Sequence, residues 1–297
     1  MAGADVGGSR EAMRSYATAT AFRRALEDRL AVMAKSEGTD LQRMRRQVAF
    51  DRLLVRLFHD GNPPWCLKGG YALELKLSMA RTTRDIDLGM SSSLPPGKTL
   101  LEVLQSAAGY DAGDHFVFMI GEPMMDLDGA PYGGARHPVE ASLDGRTFAR
   151  FHLDVGLGDI QREPYELVEG RDWLGFAGIR SGAFPSISRE EHFAQKLHAY
   201  TMPRNDRQNS RVKDLVDMVL LIDSGRMVPG RLAGDIQATF RRRNTHDMPV
   251  GLEPPPGFWT PVFAKLANEC GIDPDIGVEF EKMRSYYDSL GAAGASG

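Results

Sequence analysis

Two short stretches constrain the fold of this chain more than any other feature. Lys68-Gly-Gly-Tyr-Ala-Leu-Glu-Leu75 is followed, across a short gap, by Arg81-Thr-Thr-Arg-Asp-Ile-Asp-Leu88. Trp65-Cys66-Leu67-Lys68 is short and apolar enough for a buried strand, and Gly69-Gly70 makes a turn into a helix over 71–77. Residues 85–88 alternate polar and apolar, the period of a strand with one face in the core. Asp85 and Asp87 then project together while Ile86 and Leu88 turn inward. Two carboxylates on one strand face, with no cation between them, repel unless a metal or a proton neutralises them. Hard oxygen ligands of this kind suit Mg²⁺ (or Mn²⁺), which bridges to phosphates. Paired glycines let a phosphate approach a helix N-terminus, where free N–H groups and the dipole favour it. Together the two segments predict a phosphate cradle facing a metal site.

The rest of the chain sets the frame. Its 297 residues allow one large domain or two ordinary ones, with a core that needs neither disulfide nor structural metal. Apolar residues at 42% and charged residues at 26% exclude wholesale disorder. There is no run of 18 apolar residues, hence no expected transmembrane helix. Arg10, Arg14, Arg23, Arg24 and Arg29, with no continuous apolar stretch among them, speak against a secretory signal. Cys66 and Cys270 are too few for a disulfide framework or a Cys-type zinc site. The expectation is a soluble cytoplasmic protein without a membrane partner. A net charge of −4 gives no global preference for nucleic acid. The cations are 28 Arg against 8 Lys; the Arg fork suits phosphate, but codon usage accounts for the excess equally well.

Periodicity outlines the order of elements. Phe22, Leu26, Leu30 and Met33 predict a helix over about 18–35. Asp40 reads as the N-cap of a second helix reaching 58, with Arg43, Arg45 and Arg46 on its outer side, broken by Asn62-Pro63-Pro64. A helix is expected over 98–108 and strands over 115–120, 139–143 and 149–155, the last two joined by an Asp144-Gly145 hairpin turn. Residues 91–97 and 126–137 read as loops, 202–210 as an exposed polar stretch, and the Gly-rich ends, 1–10 and 291 onward, as disordered. Ser188-Arg-Glu-Glu191 is a capping box opening a helix through 200. Helices over 211–224 and 229–243 follow, and two more begin at Trp259 and Asp275. The expected fold class is α+β: a helical lead-in over 1–60, an α/β domain with a small mixed sheet over 61–187, and a helical domain over 188–297.

A third carboxylate on a neighbouring strand would complete a two-metal geometry. Asp154 is the choice, because it interrupts the apolar strand Phe151-His-Leu-Asp-Val155; Asp159 lies beyond Gly156 and Gly158, in a predicted loop. Lys196 sits on a helix whose Phe193, Leu197 and Tyr200 face inward, placed to reach a triphosphate as a point charge. Asp214 and Asp217, three apart on the next helix, either aim Lys196 or form a solvated face. His192 and His198 form no metal motif, and His198 reads as a packed or capping histidine. No P-loop occurs, Cys66 reads as a buried small hydrophobe, and Arg241-Arg242-Arg243 either touches RNA phosphates or ends a helix in solvent.

The order Gly-Gly, helix, Arg-Thr-x-x-Asp-x-Asp, strand resembles the nucleotidyltransferase superfamily with the polymerase-beta-like fold. With Ala194-Gln-Lys-Leu-His-Ala199 and Lys213-Asp-Leu-Val-Asp217 added, four motifs between Leu67 and Asp217 resemble the AbiEii-type nucleotidyltransferase toxins, including the mycobacterial MenT-type toxins. These are the toxin halves of bacterial toxin–antitoxin pairs. The chain departs from the superfamily pattern in two places. Gly70 replaces the commoner Ser, and the 14 residues between Gly70 and Asp85 make a slightly long spacer. The carboxyl-terminal helices match only in being helical.

The resemblance implies that Asp85 and Asp87 bind metal and nucleotide, and that Lys196 and Asp217, with Asp214 beside it, are needed for activity. Thr83 matches a Ser/Thr that is phosphorylated during neutralisation of some members. On this reading Asp154 completes the metal and catalytic set with Asp85 and Asp87. Lys68, Gly69, Gly70 and Lys196 cradle the β- and γ-phosphates, and Arg84 and Arg211 neutralise phosphate charge. The expected activity is Mg-dependent transfer of NMP from an NTP to RNA, at the 3′ end of tRNA, blocking translation, with a cognate antitoxin as partner. The alternatives are NMP transfer to a protein or small-molecule hydroxyl, or a non-catalytic protein that binds antitoxin or RNA.

Overall fold

The computed structural model describes residues 16–61, 63–77, 80–90, 94–126, 131–159, 162–203 and 211–294. The expected disordered start, Asn62, loop positions 91–93 and 127–130, positions 204–210 with Asn205-Asp-Arg207, and the last three residues lie outside the described residues.

Helix α1 (Ala19–Glu37) buries Phe22, Leu26, Leu30 and Ala34, four apart; Thr18 caps its start and Gly38, at φ 62°, ends it. Helix α2 (Leu41–Leu57) begins on Asp40, whose carboxylate accepts from the Gln42 N–H at 3.1 Å. Its arginines are less outward than their spacing indicates: Arg43 donates to Glu74, Arg45 to Glu27, and Arg46 is half-buried. Strand β1 (Trp65–Lys68) runs straight into α3 (Gly69–Lys76). The predicted turn at Gly69-Gly70 is therefore the first turn of the helix itself, and its N–H groups are the ones left without intrahelical partners.

Strand β2 (Asp85–Met90), helix α4 (Leu100–Ala108) and strands β3 (Phe116–Ile120), β4 (Met125–Asp126), β5 (Gly134–Leu143) and β6 (Arg146–Leu157) follow. Asp144 and Gly145 turn the β5–β6 hairpin at φ 56° and 66°, as a two-residue loop with right-handed strand twist requires. The loop expected to reach 137 stops earlier. Residues 134–137 pair with 153–156 of β6, which satisfies their backbone groups. Strands β7 (Glu166–Glu169) and β8 (Ala183–Ser186) were not foreseen: four residues leave little room for alternation to show, and Pro185 disguises β8. The sheet order is β3-β5-β6-β2-β1-β8-β7, with β4 pairing β5. β2 runs antiparallel to β1 and parallel to β6.

Helices α5 (Arg189–Thr201), α6 (Val212–Asp223), α7 (Pro229–Arg243), α8 (Thr260–Cys270) and α9 (Ile276–Gly294) complete the described chain. Half of the predicted capping box forms at α5. Ser188 Oγ accepts from the Glu191 N–H, while the Glu191 carboxylate turns to the Arg162 N–H. Helix α9 continues to Gly294, correcting the disordered tail expected from 291.

Buried apolar side chains gather into two clusters. Helices α1, α2 and α4 pack on one sheet face around Phe50, Leu53, Ile86, Leu88, Leu153 and Val155, so the lead-in helices are part of the sheet's own core. The second cluster lies among α5–α9, around Leu215, Val219, Trp259 and Phe263, and Leu73 of α3 reaches into it. Among the described residues no helix is long and apolar enough to cross a membrane.

Candidate active site

Strand register assembles the site. Ile86 and Leu88 are fully buried, which turns Asp85 and Asp87 to the opposite, open face. Asp87 lies across from Lys68 of β1 and from Asp154 of β6; Asp85 lies across from His152. One further strand out, Arg136 faces Asp154. Residues directly opposite share a face, so Asp85, Asp87, Asp154, His152, Arg136 and Lys68 form one polar surface.

The carboxylates on it differ in state. Burial, then the neighbouring Asp154 charge, pushes the Asp87 pKa from the ordinary 3.8 to about 6, against the pull of Lys68. Asp154 is engaged on both oxygens by Arg136, at 2.8 and 2.7 Å. Asp85 has His152 Nδ1 at 3.3 Å and Arg136 at 3.6 Å. Among the described residues no group of three or more Cys, His, Asp or Glu side chains is gathered to hold a metal. Asp85 and Asp87 nevertheless fit a divalent cation: they are hard oxygen donors on one face, and Asp87 is short of positive charge. Magnesium takes one or two protein carboxylates and completes its shell with water and phosphate.

Gly69 is the tightest point. Its φ is +69°, and a Cβ there would lie inside the Asp87 carboxylate. At Gly70 a Cβ would come within 2.9 Å of Thr83 Oγ1 and 3.5 Å of the Arg81 guanidinium. The helix N-terminus is thus bare of side chains beside Asp87, as a phosphate cradle needs. Thr83 donates its hydroxyl to the Asp85 carbonyl at 3.3 Å.

Lys196 and Asp217 meet as the first alternative has it, aimed rather than solvated. Lys196 Nζ is 2.6 Å from Asp217 and 3.3 Å from Asp214, all three buried. Burial pulls the Lys196 pKa down, but the two carboxylates outweigh it and the net shift is upward. Arg81 closes the group with two hydrogen bonds to Asp217, at 3.0 and 2.8 Å. Its place in the quoted Arg-Thr motif was the available signal, though no role attaches to it from sequence. Arg211 stands 3.5 Å from Asp214.

Asp159, His198 and Cys66 keep their expected settings, while Arg84 and Arg242 do not. Asp159 is buried and holds Lys68 at 2.9 Å and Arg243 at 2.9 Å. Arg242 lies over the Tyr132 ring and donates to the Gly158 carbonyl. Arg242 and Arg243 are therefore docked on the segment after β6, while Arg241 is exposed at the helix end. Arg84 lies on the wall of a cleft beside Asp85 and not with the Lys196 group. His198 packs beside Thr245, 2.9 Å from its hydroxyl, and burial lowers its pKa to about 3; Cys66 is buried in β1.

A strand entering a glycine-paired helix N-terminus, with two carboxylates on the adjacent strand of a mixed sheet, defines a nucleotidyltransferase. The family described as "Nucleotidyl transferase AbiEii toxin, Type IV TA system" matches residues 52–282, and the chain belongs to it. Among solved structures it is similar to JHP933 from Helicobacter pylori, at 16% identity and TM-score 0.51, over 86% of this chain and 96% of that one. It is likewise similar to MenT4, a nucleotidyltransferase toxin from Mycobacterium tuberculosis, at 16% identity and TM-score 0.50, over 88% and 87%. At this identity the likeness shows the fold. No curated protein matches the sequence at a significant level. The chain is thus an enzyme of the toxin–antitoxin class, with a nucleoside triphosphate as substrate and an antitoxin as partner; such transferases use divalent cations.

Proposed function

We propose that this toxin transfers NMP from an NTP to RNA, at the 3′ end of tRNA, and so blocks translation in the cytoplasm. The observation that carries the reading is the pairing of an open carboxylate face with a buried cation: Asp85 and Asp87 beside the bare N-terminus of α3, and Lys196 held by Asp217 close enough for its charge to act on Asp87. Asp85 and Asp87 would hold Mg²⁺, which when bound neutralises charge on the transferred phosphoryl group. The N–H groups of Gly69 and Gly70, with Lys68, Lys196 and Arg211, take the β- and γ-phosphates. The acceptor hydroxyl attacks the α-phosphorus, the bond to the β-phosphate oxygen breaks, and pyrophosphate leaves. Asp154 is the proposed acceptor of the hydroxyl proton, a role that requires Arg136 to release it. The two buried clusters support a division into a sheet domain and a helical domain near Ser188. Phosphorylation of Thr83 belongs to the same reading, because its hydroxyl lies against Gly70, where a phosphate would take the triphosphate's place.

The test incubates purified protein and Mg²⁺ with each α-³²P nucleotide and total bacterial RNA, beside Asp85→Ala. A band at tRNA size with one nucleotide, absent in Asp85→Ala, is the expected result. Label on protein instead refutes the RNA acceptor, and label retained in Asp85→Ala refutes the mechanism.

A further inference from the structure

Beside Asp85 the sheet borders a cleft of about 1060 Å³. Its lining comes largely from β3, β5 and β6, which lie on one side of β2 in the sheet, while β1 and the α3 N-terminus lie on the other. Lys68, Gly69, Lys196 and Arg211 do not border it. A phosphoryl transfer keeps attacking and leaving oxygens roughly in line. With the triphosphate on the α3 side of the carboxylates, the attacking hydroxyl has to come from the cleft side.

The walls say what kind of acceptor fits. Four guanidinium groups line the cleft, and two of them are occupied: Arg136 by Asp154, Arg150 by Glu140. The other two, Arg46 and Arg84, form no ion pair among the described residues. Burial, then the Arg84 charge, and after it that of Arg43 lower the Arg46 pKa, while Asp40 and Glu74 pull the other way from beyond ion-pair distance. The Nε of Arg46 is buried without a hydrogen-bond partner. A fold that holds two like charges together, one with an orphaned donor, is short of an anion. The remaining wall is mostly apolar, with Gln105 and His152 set among the apolar residues, and Met119 and Met124 are each 64% exposed on it. Nucleobases stack on flat apolar surfaces while guanidinium groups track the backbone.

We infer that this cleft is the acceptor subsite and takes the single-stranded end of a nucleic acid, a backbone phosphate between Arg46 and Arg84 and the terminal bases against the Met119 wall. The inference rests on the RNA-acceptor reading and deepens it. It moves Arg84 from the triphosphate, where the sequence put it, to the acceptor.

The test reads binding without turnover. A short fluorescein-labelled single-stranded RNA with a free 3′ hydroxyl is titrated with the full chain, with Arg46→Ala and with Met119→Glu, by anisotropy at two salt concentrations. NTP binding is followed in parallel by calorimetry. Removing Arg46 relieves a repulsion and Met119 is exposed, so both variants keep the fold. The expected result is salt-sensitive binding by the wild type, at least about tenfold weaker in each variant, with NTP affinity unchanged. Unchanged RNA affinity in both variants, a parallel fall in NTP affinity, or no binding by the wild type overturns the cleft assignment. If the wild type still labels RNA in such a case, the transfer reading survives. Absence of RNA labelling with every nucleotide overturns that reading whatever the anisotropy shows.

Discussion

At Gly69 the backbone holds φ +69° and the Asp87 carboxylate fills the space a side chain would need. Gly69→Ala is expected to cut transfer by about a hundredfold or more, because a shift near 1 Å at reacting groups costs that much; initial rates at saturating NTP measure it. Asp87 itself carries a pH signature. Its pKa in the folded protein is about 6, above the ordinary 3.8, so the fold favours the protonated carboxyl. That contribution is full below about pH 4 and is lost as pH rises through 6. In metal-free buffer at pH 7.5, Asp87→Asn should therefore be more stable than the wild type, by about 1–2 kcal/mol after allowance for solvent. At pH 4 the gain should vanish, and Mg²⁺ should stabilise only the wild type. Urea denaturation at the two pH values decides it. The two glycines and two aspartates were legible because their meaning lies within one strand and one turn. Arg136 was not, since nothing in the sequence near Arg136 announces Asp154.

Helices α5 and α6 meet over a buried charge group in which every ion has a partner: Lys196, Asp214, Asp217 and, from the segment before β2, Arg81. Breaking a buried pair costs about 3–5 kcal/mol. Lys196→Met leaves Arg81 on Asp217, so the expected loss is about 3 kcal/mol, together with loss of transfer. Arg81→Met should cost a similar amount while leaving Lys196 in place and some activity measurable. Equal loss of activity in both variants, with Arg81→Met fully folded by circular dichroism, would show Arg81 acting beyond support. Periodicity located α5 and α6 and placed Lys196 on the right helix. It left open whether Asp214 and Asp217 faced solvent, because a helical repeat states which residues share a face and not what that face meets.

The sheet and the helical half are joined by Asp159, which holds Lys68 of β1 and Arg243 of α7 together, and by Arg242 on Tyr132 and Gly158. The positive charges of Lys68 and Arg243 hold the Asp159 carboxyl below the usual range despite its burial. Asp159→Ala would leave two cations facing each other without a counter-charge. The expected destabilisation is about 3 kcal/mol. A nucleoside triphosphate, supplying an anion to Lys68, should raise Tm more in the variant than in the wild type; an equal rise would place Lys68 away from the triphosphate.

What the sequence determined by itself was local: the turn at Gly69-Gly70, the alternation that pairs Asp85 with Asp87, the caps at Asp40 and Ser188, and the hairpin at Asp144-Gly145. Each follows from steric or hydrogen-bonding rules acting within a few residues. Only the tertiary structure decided which distant charges share a site. Arg81 finds Asp217 across 136 positions, Lys68 finds Asp159 across 91, and Arg46 comes to line one cleft with Arg84. Those pairings depend on strand order and on how the helices pack, which are set by burying two apolar cores at once.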